Sequence, residues 1–96
     1  NEIEQALMTN PAIQDCAVIG IPDEKWGEAV KAVVLLKPGF EATDQSIIAD
    51  ARKLLDGVKT PKTVDIWDDL PRSAAGKVLK TEIRKKFWLG QGRAVN

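Results

Sequence analysis

Two valine-rich runs joined by a short connection constrain this chain more than any other feature. Asp15 to Ile21 is almost continuously apolar, and Ala29 to Lys37 is a second run rich in valine and leucine; proline or glycine bounds each. β-branched residues suit a pleated chain, and Pro and Gly punctuate it. The connection Pro22-Asp23-Glu24-Lys25-Trp26-Gly27 is too short for a parallel return, which needs a crossover of a dozen or more residues. The two strands are therefore expected to form an antiparallel pair.

Helical periodicity surrounds the pair. Asn1 and Glu4 have the spacing of a capping box, and Glu2 adds negative charge to the first turn. A helix from Glu2 to about Thr9 is predicted, with Ile3, Ala6 and Leu7 on one face and Asn10-Pro11 as its stop. Between Asp44 and Asp56, Ile47, Ile48, Ala51, Leu54 and Leu55 recur at helical spacing, with Thr43 placed to cap the start and Gly57 to end it. Val64 to Trp67 reads as a third strand, followed by the turn-rich Asp68-Asp69-Leu70-Pro71 and a flexible Ser73-Ala74-Ala75-Gly76. A last helix, about Lys80 to Trp88, turns Ile83 and Phe87 inward and leaves Arg84, Lys85 and Lys86 solvated; Gly90 and Gly92 then release a polar tail. The expected fold class is α+β, in the order αββαβα: a small three-stranded sheet, mostly antiparallel, flanked by about three helices. The pattern leaves the direction of the third strand open, because the long connection through the second helix permits either.

Composition excludes several function classes. A chain of 96 residues is one small domain that buries roughly 60 to 65% of its unfolded surface, enough for a modest core but not for a deep pocket around a large substrate. With 14 Lys+Arg against 14 Asp+Glu, nothing favours general attraction to nucleic acid or to an anionic membrane. There is no histidine and a single cysteine, Cys16, set in an apolar run. Structural zinc, Ser-His-Asp chemistry and an intrachain disulfide are thereby excluded, and a reduced, buried thiol in the cytoplasm is expected. No apolar run reaches membrane-spanning length, and no basic-then-apolar leader is present. The first residue is Asn1, with a helix signal beginning at once, as expected of a piece cut from a longer protein at a domain boundary.

Pro71-Arg72-Ser73-Ala74-Ala75-Gly76-Lys77-Val78 invites comparison with a phosphate-binding loop. It fails that test: the motif needs glycine where Pro71 stands and Ser or Thr where Val78 stands, between a strand and a long helix. Taken alone, a lysine after glycine in an exposed loop is a solvated surface residue. Asp68-Asp69 is turn chemistry, with no further ligands spaced nearby for a metal. The basic run Lys80, Arg84, Lys85 and Lys86 lacks a stacking platform for bases and is a charged helix face.

The segment from Pro71 to Lys77, followed by Lys80 and Arg84, resembles the last signature motif of the adenylate-forming superfamily of acyl-CoA synthetases, luciferases and peptide-synthetase adenylation domains. Glu2-Ile3-Glu4 resembles the end of that family's hinge motif. Pro11-Ala12-Ile13, Val18 to Asp23, Trp26-Gly27-Glu28 and Lys59-Thr60-Pro61-Lys62 also fall in family order and spacing, so the resemblance covers nearly the whole chain. It implies a mobile C-terminal domain in which Lys77, on a loop shaped by Gly76, reaches into a larger N-terminal domain. There the lysine would contact the carboxylate and the ATP α-phosphate during adenylation, offsetting repulsion between two anions. In the second half-reaction, transfer to CoA, the resemblance implies a different face, with Trp26 packing on CoA and Lys62 meeting a CoA phosphate; Arg52, on a polar helix face, is a weaker candidate. ATP and CoA are then substrates of the full-length enzyme, with Mg2+ accompanying ATP through the N-terminal domain. The partner is that domain in cis, without nucleic acid or a membrane span. The adenine, ribose and acyl sites of the family are not among these residues. The final stretch Phe87 to Asn96 resembles the tails of bacterial fatty-acyl-CoA ligases. The alternative is the equivalent domain of a carrier-protein-loading enzyme, or a docking module.

Overall fold

The computed structural model describes residues 2–25 and 27–95, with side chains up to residue 88. In chain order the elements are α1 Glu2–Met8, β1 Ile13–Asp23, β2 Gly27–Leu36, α2 Asp44–Leu54, β3 Thr63–Trp67 and α3 Lys80–Val95. This is the expected αββαβα order. The strands form one sheet in the order β1-β2-β3. β1 and β2 are antiparallel from Ile13↔Leu36 to Asp23↔Gly27, whereas β3 runs parallel to β2 from Lys31↔Thr63 to Leu35↔Trp67. The sheet is therefore mixed, with the longer ladder antiparallel. The connection carrying α2 supplies the crossover that a parallel neighbour requires.

Both faces of the sheet are covered, which is why β1 and β2 read as continuous apolar runs and not as alternating ones. On one face, Cys16, Ala32, Val34 and Val64 pack with Leu7 of α1 and Ile47, Ala51 and Leu55 from α2 and its end. On the other, Ala17, Ile19 and Val33 pack with Leu70 and Ile83. Ile13 and Cys16 share a face although three positions apart. The ladder jumps from Ile13↔Leu36 to Asp15↔Leu35, so Gln14 is the extra residue of a bulge that shifts the alternation by one.

Local signals explain most boundaries. Thr43 caps α2: its hydroxyl accepts from the Ser46 amide and the Ser46 hydroxyl accepts from the Thr43 amide, a reciprocal box. α2 stops earlier than Gly57, at Leu54, with Leu55 extended as its C-cap. That change of direction leaves Leu54 59% exposed while Leu55 is 7% exposed, so Leu54 does not join the core as its spacing suggested. The capping box expected at Asn1 lies outside the described residues. Glu4, its other half, turns its carboxylate across the domain to accept from the Val18 amide at 2.9 Å. α3 does not end at Trp88; its backbone continues through Gly90 and Gly92 to Val95. A helical glycine costs about 1 kcal/mol against alanine, a penalty that weakens a helix without forbidding it.

α3 is fastened to the sheet by aromatic and cationic side chains. Trp67 and Phe87 stack with centroids 6.3 Å apart, Lys86 lies 4.8 Å from the Trp67 ring centre, and the Trp88 indole N–H donates to the Gly20 carbonyl at 2.7 Å. Arg84, Lys85 and Lys86 are exposed as expected, but they are engaged: Arg84 pairs with Glu28, Lys85 with Glu82, and Lys86 with Trp67.

Candidate functional site

The loop between β3 and α3, whose Ser73-Ala74-Ala75-Gly76 reads as flexible in sequence, is closed into a hairpin by backbone hydrogen bonds. Arg72 and Val78 form an antiparallel bridge, and the Ser73 amide donates to the Lys77 carbonyl at 2.8 Å. Inside it, the Gly76 amide donates to the Ser73 carbonyl at 2.9 Å and the Lys77 amide to the Ser73 hydroxyl at 3.2 Å. Ala74, Ala75 and Gly76 make a three-residue turn whose last member sits at φ +87°. This left-handed position is where such turns call for glycine. The stem is closed by the Leu79 amide donating to the Pro71 carbonyl at 2.8 Å and is rooted in the core by Leu70 and Ile83.

Three cations belong to this hairpin and its exit, and two are neutralised. Arg72 pairs with Asp15 of β1 at 2.9 Å, and the same guanidinium nitrogen donates to the Gly76 carbonyl at 3.2 Å. Lys80 pairs with Glu4 of α1 at 2.7 Å. Burial works against ionisation of Glu4, the Lys80 ammonium and the Val18 amide favour it, and the carboxyl is held below its ordinary value of 4.5. The third cation, Lys77, is exposed at the tip side of the hairpin, and its ammonium has no ion-pair or hydrogen-bond partner among the described residues. Beneath them the Cys16 thiol is pushed up to about 12 by burial and by the carboxylates of Glu4 and Asp15. It is an inert packing group and no nucleophile.

The other predicted positions lie elsewhere. Lys62 is exposed next to the buried Pro61, and its backbone amide donates to the Val30 carbonyl at 3.0 Å. It therefore lies toward the end of the sheet where β1 and β2 pair at Asp23↔Gly27, whereas Arg72 is tied to Asp15, opposite Leu35. From Val30 to Leu35 is five steps along β2, about 17 Å at the strand rise. Lys77 and Lys62 are thus at opposite ends of the sheet and are not brought into one site. Trp26 lies outside the described residues. Arg52 is exposed on α2. A cleft between α1 and α2, lined by Ala6, Leu7, Asn10, Ile47, Ala51 and Leu54, encloses about 160 Å3. That is below the several hundred Å3 typical of a small-molecule site, and it shares no residue with the hairpin.

A family model described as the AMP-binding enzyme C-terminal domain matches residues 2–77, from the start of α1 to Lys77 itself. The chain belongs to this family. Among curated relatives, a feruloyl-CoA synthase of Amycolatopsis is 43% identical over 90% of this chain and 18% of its own length. A medium/long-chain-fatty-acid–CoA ligase of Mycobacterium tuberculosis is 42% identical over 98% of this chain and 18% of its own. Among solved structures, the acyl-CoA synthetase of Brucella canis superposes with a TM-score of 0.86 at 34% identity, over 94% of this chain and 17% of that one. The chain thus spans less than a fifth of the length of these relatives. Within this C-terminal domain, sequence reasoning missed the pairing of Asp15 with Arg72 and, although it placed Glu4 in a capping box and in the hinge-like Glu2-Ile3-Glu4, the pairing of Glu4 with Lys80. No local signal reports either pair, because the partners are remote in sequence, 57 positions apart for Asp15 and Arg72.

Proposed function

We propose that this domain is the catalytic lid of an ATP-dependent, AMP-forming acyl-CoA synthetase, joining a carboxylic acid to CoA with release of AMP and pyrophosphate. The observation that carries the reading is the presentation of Lys77: an exposed ammonium, unpartnered among the described residues, on a hydrogen-bonded turn whose conformation requires Gly76. Attack of a carboxylate on the α-phosphorus brings two anions together, and a positioned cation offsets their repulsion and stabilises charge growing on the phosphoryl oxygens. Lys77 acts electrostatically and not as a base. The ATP, acyl and Mg2+ sites belong to the N-terminal domain in cis; among the described residues no three acidic, His or Cys side chains converge to hold a metal.

On this reading Trp26 and Lys62 serve the second half-reaction, Lys62 from the far end of the sheet, and the domain alone is inactive. The identity of the acid resides outside it, since a feruloyl and a fatty-acyl enzyme match it about equally. The buried thiol of Cys16 suits a reducing cytoplasm. The test is Lys77→Ala in the full-length enzyme, with pyrophosphate release and thioester formation from preformed acyl-adenylate followed separately. Collapse of the first with survival of the second is expected. If neither half-reaction changes, Lys77 is a surface lysine and the reading falls.

A further inference from the structure

We infer that Arg72 and Asp15 are positioning residues for Lys77, acting through the Gly76 carbonyl; this rests on the adenylation role proposed above. Arg72 bridges two acceptors with one nitrogen, the Asp15 carboxylate at 2.9 Å and the Gly76 carbonyl at 3.2 Å. The second acceptor matters because that carbonyl belongs to the peptide unit linking Gly76 to Lys77. A rotation of this unit swings the lysine stem, and a left-handed glycine offers little intrinsic resistance to one. The amide side of the unit is already held by the Ser73 hydroxyl at 3.2 Å. Arg72 holds the carbonyl side, so both ends of one peptide plane are fixed.

Asp15 in turn fixes Arg72. Its Oδ1 accepts from the Cys16 amide at 2.9 Å, orienting the carboxylate, and its Oδ2 accepts from the guanidinium. The anchor is thereby the backbone of β1 beside the bulge at Gln14. The arginine and aspartate are each about one-third exposed, so their pairing contributes little to folding stability. Directional hydrogen bonding is the property used here: a planar guanidinium serves two acceptors at fixed angles, whereas an ammonium does so without that geometry. On the far side of the hairpin, Lys80 and Glu4 hold the start of α3, so the turn cannot drift as a unit.

The experiment compares Asp15→Asn, Arg72→Gln, the exchange Asp15→Arg with Arg72→Asp, and Lys77→Ala in the full-length enzyme. Pyrophosphate release, thioester formation from preformed acyl-adenylate, and Tm are measured for each. Displacing a catalytic group by about 1 Å costs on the order of a hundredfold. Arg72→Gln is therefore expected to lower kcat for adenylation by about ten- to a hundredfold, with KM for ATP, Tm and the transfer step little changed. Asp15→Asn has a smaller effect in the same direction. The exchange re-forms the ion pair but puts a carboxylate where the Gly76 carbonyl needs a donor, so adenylation stays low. Recovery in the exchange variant, or parallel loss of both half-reactions with Tm, would show an ordinary ion pair and overturn the inference. Lys77→Ala separates the two claims: collapse of its adenylation while the Arg72 and Asp15 variants stay at wild-type rates sinks the positioning role alone. An active Lys77→Ala enzyme sinks both.

Discussion

At the scale of single residues, the hairpin concentrates its demands on Gly76. A Cβ built there meets no atom within 4 Å, so the position is glycine for its backbone and not for space. With φ at +87°, Gly76→Ala should destabilise the chain by about 1–2 kcal/mol through left-handed strain, read by urea denaturation. On the role proposed for Lys77, it should lower adenylation by the full-length enzyme far more than that loss of stability explains. Cys16 makes a second residue-scale prediction. Burial and two carboxylates push its thiol up to about 12, so at pH 8 iodoacetamide should label it negligibly in the native chain and fully in denaturant, as mass spectrometry would show. Lys77 and Gly76 stand out in the sequence because glycine and lysine sit side by side in a recognisable motif. The clamp around them does not, because Arg72, Asp15, Lys80 and Glu4 become neighbours only when α1, β1 and the last loop converge.

At the scale of elements, α3 connects the lysine hairpin to the sheet, and Ile83 is the side chain that seats it. Ile83 is fully buried among Ala17, Ile19, Val33 and Leu70. Ile83→Ala should cost about 2–5 kcal/mol, lowering the urea midpoint. Because α3 begins at Lys80, three residues after Lys77, adenylation should fall with it and recover partly in Ile83→Val. Thr43→Ala removes only the hydroxyl acceptor that caps α2. It should cost about 1 kcal/mol and leave adenylation intact, since α2 lies on the opposite face. The existence and order of all six elements follow from periodicity and turn residues, because those signals are local. Their ends are less legible. Gly57 could not announce that α2 stops at Leu54, since the stop is set by Leu55 turning into the core. Nor could Gly90 and Gly92 terminate α3 by propensity alone. The direction of β3 is a tertiary choice that no local signal encodes.

At the scale of the whole molecule, Glu4 ties three elements together at the open edge of β1. From α1 its carboxylate accepts the Val18 amide of β1, satisfying a donor on an edge strand, and pairs with Lys80 at the start of α3. Asp15 and the Cys16 thiol lie close enough to be part of the same electrostatic cluster. The pH dependence has a definite sign. Glu4 is held below its ordinary value of 4.5 in the folded chain, so the folded state binds this proton more weakly than the unfolded state does. The resulting stabilisation is fully present above about pH 4.5 and is lost as pH falls through the depressed folded value. Other carboxylates titrate in the same range, so the informative quantity is a difference. Glu4→Gln keeps an oxygen for the Val18 amide but loses the charge that faces Lys80. It should be less stable than the parent at pH 7, and the gap measured by urea denaturation should close as the pH is lowered from 4.5. A gap that stays constant with pH would mean that the carboxylate contributes shape alone. The Lys80 charge would then add nothing to the joint between α1 and α3, and Arg72–Asp15 would be the ion pair that links the lysine hairpin to β1.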